Sequence, residues 1–372
     1  MKFNIYGDFC PTKSNIELFM SGEYSRIFGC VREINRNVDF NIVNLECALG
    51  GKKEATDKSG PCMRAPFECI WGLRSVGFNV VSVANNHSLD NGMSAFRKEL
   101  GELADAGFQC VGSNLRDIKT PYLLIGEGKE SVAILSIGDH EYNTDDEGYG
   151  VCIFSGQRTY AYINELKKKA SYVVVLYHSG YENALYPSPL LMERCRTMVD
   201  YGASAVLCQH SHCVGAYEEY DGSLILYGQG NFLFDLTKRK CWHWGMCVSL
   251  ETKSDGLHYT FEPLMVSNGC IAPVSDVEKE ALLKEFFLRS RDISNTNIVK
   301  EKWDEFLRLE AWKYNAMLKG GSKIDYIISK IQSKVTPKLR LNKKQLSTYL
   351  LFMRSDTHRE ALSDLLQLER RK

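Results

Sequence analysis

Five short apolar runs in this 372-residue chain each lead, within a few positions, to side chains that coordinate metal ions. The runs cover residues 3–6, 40–43, 80–83, 173–176 and 205–207. Most are apolar on both faces and bounded by polar residues or Gly, as strands buried between helical layers are. Charged and amide side chains usually sit on surfaces. Here they follow buried strands directly, and in open α/β sheets ligands bind beyond the carboxyl ends of strands.

The first run ends in Gly7-Asp8, where Gly lets the chain turn sharply and Asp8 projects at the sheet edge. The second ends in Asn44-Leu45-Glu46, and strand alternation puts Asn44 and Glu46 on one side. The third is followed by Asn85-Asn86-His87-Ser88-Leu89-Asp90. Asn86 is a weak oxygen ligand that gains sense beside carboxylates and imidazoles, and His87 is placed to act as a general acid. The fourth leads to His178. The fifth leads to His210-Ser211-His212, two imidazoles able to turn toward one cation. Four of the chain's eight histidines are used in this way. Of the others, His140 follows a further strand end, close enough to stand behind the ligands, and His243 lies in an aromatic cluster, Trp242 to Trp244.

Strand-like runs alternate with helical stretches over residues 1–275, as in α/β proteins. Helices are expected from residue 93 to 106 and from 157 to 170. Antiparallel strands at 224–227, 244–250 and 257–264 close the domain, with turn signals at Asp221-Gly222 and Asp255-Gly256. From residue 276 the pattern becomes helical. Trp303, Phe306 and Leu307, then Leu346, Leu350 and Met353, then Leu362, Leu365 and Leu366 recur at helical spacing. Two regions are therefore expected, 1–275 and a helical extension at 276–372.

Formal net charge is zero, so no overall field points to nucleic acid. The tail after residue 275 carries 21 Lys/Arg against 14 Asp/Glu, a mild excess consistent with a solvated helical face. Thirteen cysteines without C-x-x-C spacing argue against a structural zinc site and read as reduced thiols of a cytoplasmic protein. No run of 18 apolar residues forms a membrane helix, and the opening residues read as a strand rather than a signal peptide or anchor.

The order and spacing of these pieces resemble the CapA family of capsule synthesis proteins, linked to poly-gamma-glutamate synthesis and similar in fold to calcineurin-like metallophosphoesterases. The segments that carry the resemblance are Gly7-Asp8, Asn44-Leu45-Glu46, Asn85-Asn86-His87 with Asp90, His178-Ser179-Gly180-Tyr181-Glu182, His210-Ser211-His212 and Gly228-Gln229-Gly230-Asn231-Phe232. They lie within roughly residues 1–265. The resemblance implies a four-layer α/β/β/α sandwich with two divalent metals, Mn, Fe or Zn, at one edge of the paired sheets. By motif, Asp8, Glu46, Asn86, His178, His210 and His212 would be ligands and His87 would face the substrate. Asn44, Asp90, Glu182 and Asn231 would support the ligands or touch substrate, although Gly230-Asn231-Phe232 reads equally as a turn into a buried aromatic.

Three positions depart from the general pattern. Cys10 stands where a ligand His would be, and is either a thiolate ligand or an inert buried thiol. Glu46 stands in place of a bridging Asp, and Cys208 in place of the Gly before the His pair.

The implied activity is metal-dependent hydrolysis of a phosphate ester or related anionic substrate in capsule, poly-gamma-glutamate or surface-polysaccharide synthesis. The alternatives are an accessory protein that handles an anionic polymer without cutting it, and an amide hydrolase on gamma-glutamyl substrates. An anionic small molecule or polymer is the expected partner, with room for biosynthetic protein partners.

Overall fold

The computed structural model describes residues 1–50, 58, 60–145, 147–237, 239–319, 322–334, 336, 338–354 and 366. Two compact units divide between Lys300 and Glu301. The change of character at residue 276 coincides with the start of the helix Asp276–Asp292, and the first unit continues through that helix.

Two large sheets build the first unit. One has the order Cys270–Ala272, Gly256–Ser267, Trp244–Lys253, Lys2–Phe9, Phe40–Leu45, Val80–Ser82, Gln109–Val111, with Asn231–Leu233 also pairing with Lys2–Phe9. The other has the order Tyr217–Tyr220, Ser223–Leu226, Ala205–Gln209, Tyr172–His178, Val132–Gly138, Tyr122–Ile125. The strands nearest the N-terminus of the first sheet run parallel, as do the four central strands of the second. Their carboxyl ends therefore gather at one edge of each sheet.

Strand alternation divides the apolar side chains among three cores. Phe3, Ile5, Ile42 and Val80 meet Ile134, Val174, Leu176 and Leu207 between the sheets. Tyr6, Val43 and Val81 face the other way, onto Phe28, Ile70, Leu73, Phe96 and Leu100 of covering helices. On the far side Leu135, Val173, Val175 and Val206 pack on Ile163, Leu166, Met192 and Met198. The result is the four-layer α/β/β/α sandwich. Truncating a central residue such as Leu176 to Ala costs about 2–5 kcal/mol at sites of this kind.

Local chemistry agrees with the layers. The outer helix Pro189–Asp200 starts with Ser188, whose hydroxyl accepts from Leu191 N at 3.1 Å, and with Pro189 in its first turn. The expected helices are Met93–Asp105 and Gln157–Lys167. Asp221 and Gly222 both take positive φ (47° and 72°), as a two-residue hairpin turn requires.

In the second unit the Trp303 and Phe306 stripe lies on Thr296–Met317, a helix that begins in the first unit, and Leu346 and Leu350 lie on Lys343–Arg354. Residues 362 and 365 fall outside the described residues. Among the described residues, no helix is long and apolar enough to cross a membrane. All thirteen cysteines are free thiols.

Candidate metal centre

Gly7 makes a bulge that aims Asp8. Tyr6 pairs with Val43 and Asp8 with Asn44, so Gly7 is the extra residue in its strand. Asp8 is fully buried, and its Oδ1 accepts from Asn44 Nδ2 at 2.8 Å. Glu46, fully buried, follows the neighbouring strand. From the second sheet come His178, at the end of its strand, and His210 and His212, just past Ala205–Gln209. His210 and His212 both take positive φ (83° and 55°), a left-handed backbone uncommon outside Gly and often found at functional sites.

These side chains converge. His178 Nε2 lies 3.0 Å from Asn86 Oδ1 and 3.4 Å from Glu46 Oε1. His210 Nδ1 lies 4.0 Å from Glu46 Oε1. His212 Nδ1 lies 3.2 Å from Asp8 Oδ2, 3.8 Å from Glu46 Oε2 and 3.0 Å from Asn231 Oδ1. Among the described residues two groups gather ligand atoms within 4.8 Å of one another, Glu46/His178/His210 and Asp8/Glu46/His212. Ligands at about 2.0–2.2 Å from one ion lie up to about 4.3 Å apart, so each group is close to what one cation needs.

The electrostatics show what the protein alone leaves unbalanced. Burial pushes the Glu46 carboxyl well above the usual range, and the charges of Asp8 and Glu182 push it further. Neither Glu46 oxygen, nor His210 Nδ1, has a hydrogen-bond partner among the described residues, although all three atoms are buried. Burial also raises Asp8, but the contact with His212, the charges of His212 and His178 and the Asn44 amide outweigh it and hold Asp8 at about 2. Burial, reinforced by His210, drives His178 well below the usual imidazole range. Buried unsatisfied polar atoms are rare and ask for an explanation. Carboxylate oxygens and imidazole nitrogens that share a buried space without bonding each other fit divalent cations such as Mn, Fe or Zn.

A second layer of contacts holds this set. Asn44 Nδ2 also lies 3.1 Å from His178 Nδ1, and Asn44 Oδ1 accepts from Asn85 Nδ2 at 3.2 Å. Asn231 Nδ2 donates to Trp242 O at 3.0 Å, so its amide is fixed where it meets His212. The next residue, Phe232, packs against Tyr6 and Phe78 at 4.8 and 5.1 Å, so Gly230-Asn231-Phe232 leads into a buried aromatic while Asn231 lies beside His212. His87 donates from Nδ1 to Asp90 Oδ2 at 2.7 Å. Burial lowers the pKa of His87 even though the Asp90 bond raises it.

Other expected residues lie further out. Glu182 is exposed and reaches the site only through its charge on Glu46. Cys10 sits in the core beneath the first sheet, its Sγ 3.7 Å from Pro11 O, outside both ligand groups. His140 is exposed and bonds Thr144 Oγ1 at 3.0 Å; its neighbour Glu141 comes within 3.8 Å of His210 Nε2 instead. His243 bonds Val266 O, and it is Trp242 that packs on His212, with ring centres 4.0 Å apart.

Lys58 carries no sequence signal. It is buried against Asp90, and its Nζ donates to Asn86 O at 3.1 Å. Nζ also lies 3.1 Å from His87 Nδ1. Because that ring nitrogen gives its proton to Asp90, the carboxylate lies between two donors.

Residues 2–236 match the family model described as bacterial capsule synthesis protein PGA_cap, well over half of the chain. The chain belongs to this family. Among PGA_cap relatives, it is 28% identical over 251 residues to the PGA biosynthesis protein CapA of Bacillus subtilis (strain 168), covering 63% of this chain and 66% of that one. It is 27% identical over 188 residues to the capsule biosynthesis protein CapA of Bacillus anthracis, covering 46% of this chain and 44% of that one. The matches thus span just under two thirds and under half the length of these relatives. A novel phosphatase of Mycoplasma pneumoniae superposes with a TM-score of 0.45 at 13% identity, over 71% of this chain and 93% of that one.

Proposed function

We propose that this PGA_cap protein uses two divalent cations, which Glu46 and its neighbours would hold, and hydrolyses a phosphate ester or related anionic substrate in capsule, poly-gamma-glutamate or surface-polysaccharide synthesis. The observation that carries this is Glu46: both oxygens are buried without a hydrogen-bond partner among the described residues, and the residue belongs to both ligand groups. His178 and His210, with Asn86 nearby, would hold one cation; Asp8 and His212 would hold the other. Cations bound there supply Lewis acidity and positive charge at the reacting centre.

The protein's own residues supply orientation and a proton. Asn44 fixes Asp8 and the His178 ring, and Asn231 fixes His212. Asp90 holds the His87 ring by Nδ1, which leaves Nε2 to protonate the leaving oxygen. Lys58 keeps Asp90 ionised alongside His87, and Asp90 is accordingly held below its usual range: burial raises it, but the His87 bond and Lys58 prevail.

Elemental mass spectrometry on protein purified without chelators tests the metal content, with Asn86→Ala and His210→Ala alongside. Close to two metals per chain, falling in both variants, supports the centre; no metal in the wild type would remove it. Turnover against phosphomonoesters, phosphodiesters and gamma-glutamyl peptides then separates phosphate-ester hydrolysis from amide hydrolysis and from binding without cleavage.

A further inference from the structure

The family match ends at residue 236, yet a helix 40 residues later reaches the loops that carry the histidines. Asp276–Asp292 begins with a capping box, Ser275 with Glu278, and buries Phe286 and Arg289 of its C-terminal half. Phe286 is fully buried in the core between the sheets, stacked on Tyr217 at 5.2 Å. Three residues on, Arg289 is 7% exposed. Its Nε donates to Gly215 O at 3.1 Å and its Nη2 to Val214 O at 3.0 Å. Those carbonyls lie two and three residues after His212. Asp292 Oδ2 accepts from the Tyr186 hydroxyl at 2.9 Å, in the segment that follows His178.

A buried guanidinium is costly unless its donors are used. Among the described residues its one carboxylate contact is the exposed side chain of Glu285, at 3.6 Å. Arg289 therefore spends its buried donors on the backbone of one loop. That loop needs holding: His210 and His212 are both left-handed, and a conformation of this sort persists only where the surroundings over-determine it.

We infer that Arg289 is a positioning residue for the His210–His212 loop, supplied by a helix outside the family-matched segment. Its two bonds to Val214 and Gly215 fix the loop's exit and hence the directions of both imidazoles. The consequence for metal binding rests on the two-cation reading above; the ordering of the loop does not.

The test uses the full chain with Arg289→Met, Arg289→Lys and, as a control on the same turn, Ser290→Ala. Ser290 Oγ accepts from Tyr217 N at 2.9 Å and donates to Phe286 O at 2.7 Å, whereas the bonds to Val214 O and Gly215 O come from Arg289. Zn²⁺ and Mn²⁺ affinities are measured by chelator competition, and amide hydrogen exchange over residues 208–215, which excludes the Tyr217 amide held by Ser290, is followed in chelator-treated protein, with thermal unfolding as the check on folding. Arg289→Met is expected to weaken metal binding by roughly 10–100-fold, as loss of a support behind metal ligands does, and to speed exchange in the loop. Arg289→Lys restores part of both, and also carries the test if the Met variant does not fold. Ser290→Ala shifts the unfolding midpoint and leaves metal affinity unchanged. Wild-type affinity and loop exchange in folded Arg289→Met or Arg289→Lys would overturn the proposal, as would equal losses in Ser290→Ala. A wild type that binds neither ion would overturn the two-cation reading, while loop exchange would still decide the role of Arg289.

Discussion

Glu46 turns its two carboxylate oxygens toward different histidines, Oε1 to His178 Nε2 at 3.4 Å and Oε2 to His212 Nδ1 at 3.8 Å. On the two-cation reading, a carboxylate shared in this way is needed for metal and is a liability without it. Burial and its acidic neighbours raise its folded pKa above the ordinary 4.5, so metal-free protein loses stability as pH rises above that value. Glu46→Gln keeps the shape and removes the charge. It is expected to lose bound metal, yet to unfold in chelator at neutral pH no earlier than the wild type, with a flatter pH dependence. Metal analysis and thermal melts check both halves. Early unfolding of the chelated variant would show Glu46 to be a structural acceptor instead.

His87 and Asn86 are neighbours with separable roles. Asn86 Oδ1 meets His178, whereas the His87 ring is held by Asp90. His87→Ala is expected to retain metal and lose turnover by about 10²–10⁴-fold, the usual worth of a placed general acid. Metal content and kcat on the best substrate of the panel are the measurements. Unchanged turnover would remove the proton-transfer role.

The candidate ligands at strand ends are legible in the sequence because each follows a largely apolar run, and such runs leave few places for a carboxylate or imidazole. The pairing of the two sheets comes from the family resemblance alone, since nothing in residues 173–176 says that they face residues 3–6. Lys58 lies in a polar stretch without periodicity, and its contact with Asp90 is set by the fold alone. Arg289 reads as one more base in a basic tail until the helix Asp276–Asp292 is seen to enter the sandwich. Glu141 has the strand-end position, but an acid in a surface loop is common, so position alone does not mark it. Trp242 and His243 are neighbours in the short helical turn Lys240–His243, and the sequence does not say which of the two rings meets His212.

Glu99 offers a pH test away from the metal centre. It is buried on the helix Met93–Asp105, and its Oε2 accepts from Leu49 N at 2.9 Å. Burial pushes its pKa up to about 8, partly offset by the Leu49 bond. The folded value lies above the unfolded one, so the stabilisation is full below about pH 4.5 and declines as pH rises through about 8. Glu99→Gln keeps a carbonyl oxygen for Leu49 and removes the ionisation. At pH 8 the variant should exceed the wild type by on the order of 3 kcal/mol, and the two should converge near pH 5. Denaturant melts at the two pH values decide this, and parallel curves would mean that Glu99 ionises as an ordinary surface acid does.

Gly7 is the position where the backbone itself forbids a side chain. A Cβ there would fall 1.9 Å from Gly230 O, which accepts from Asp8 N at 3.3 Å. The obstacle is backbone on a paired strand, so no rotamer change can relieve it, and Asn231 follows at the next residue. Gly7→Ala must therefore push the Asn231–Leu233 strand away from Lys2–Phe9, and both Asp8 and the Asn231 amide move with it. The expected cost is about 3 kcal/mol or more, at the upper end for overpacking. Metal should be lost even at temperatures where the variant stays folded. Gly101→Ala is the matched control, on a helix where an added Cβ meets nothing within 4 Å. It should be neutral to stabilising, since Ala is the better helix former. Equal melting of the two variants would show that the approach of Gly7 to Gly230 does not constrain the site.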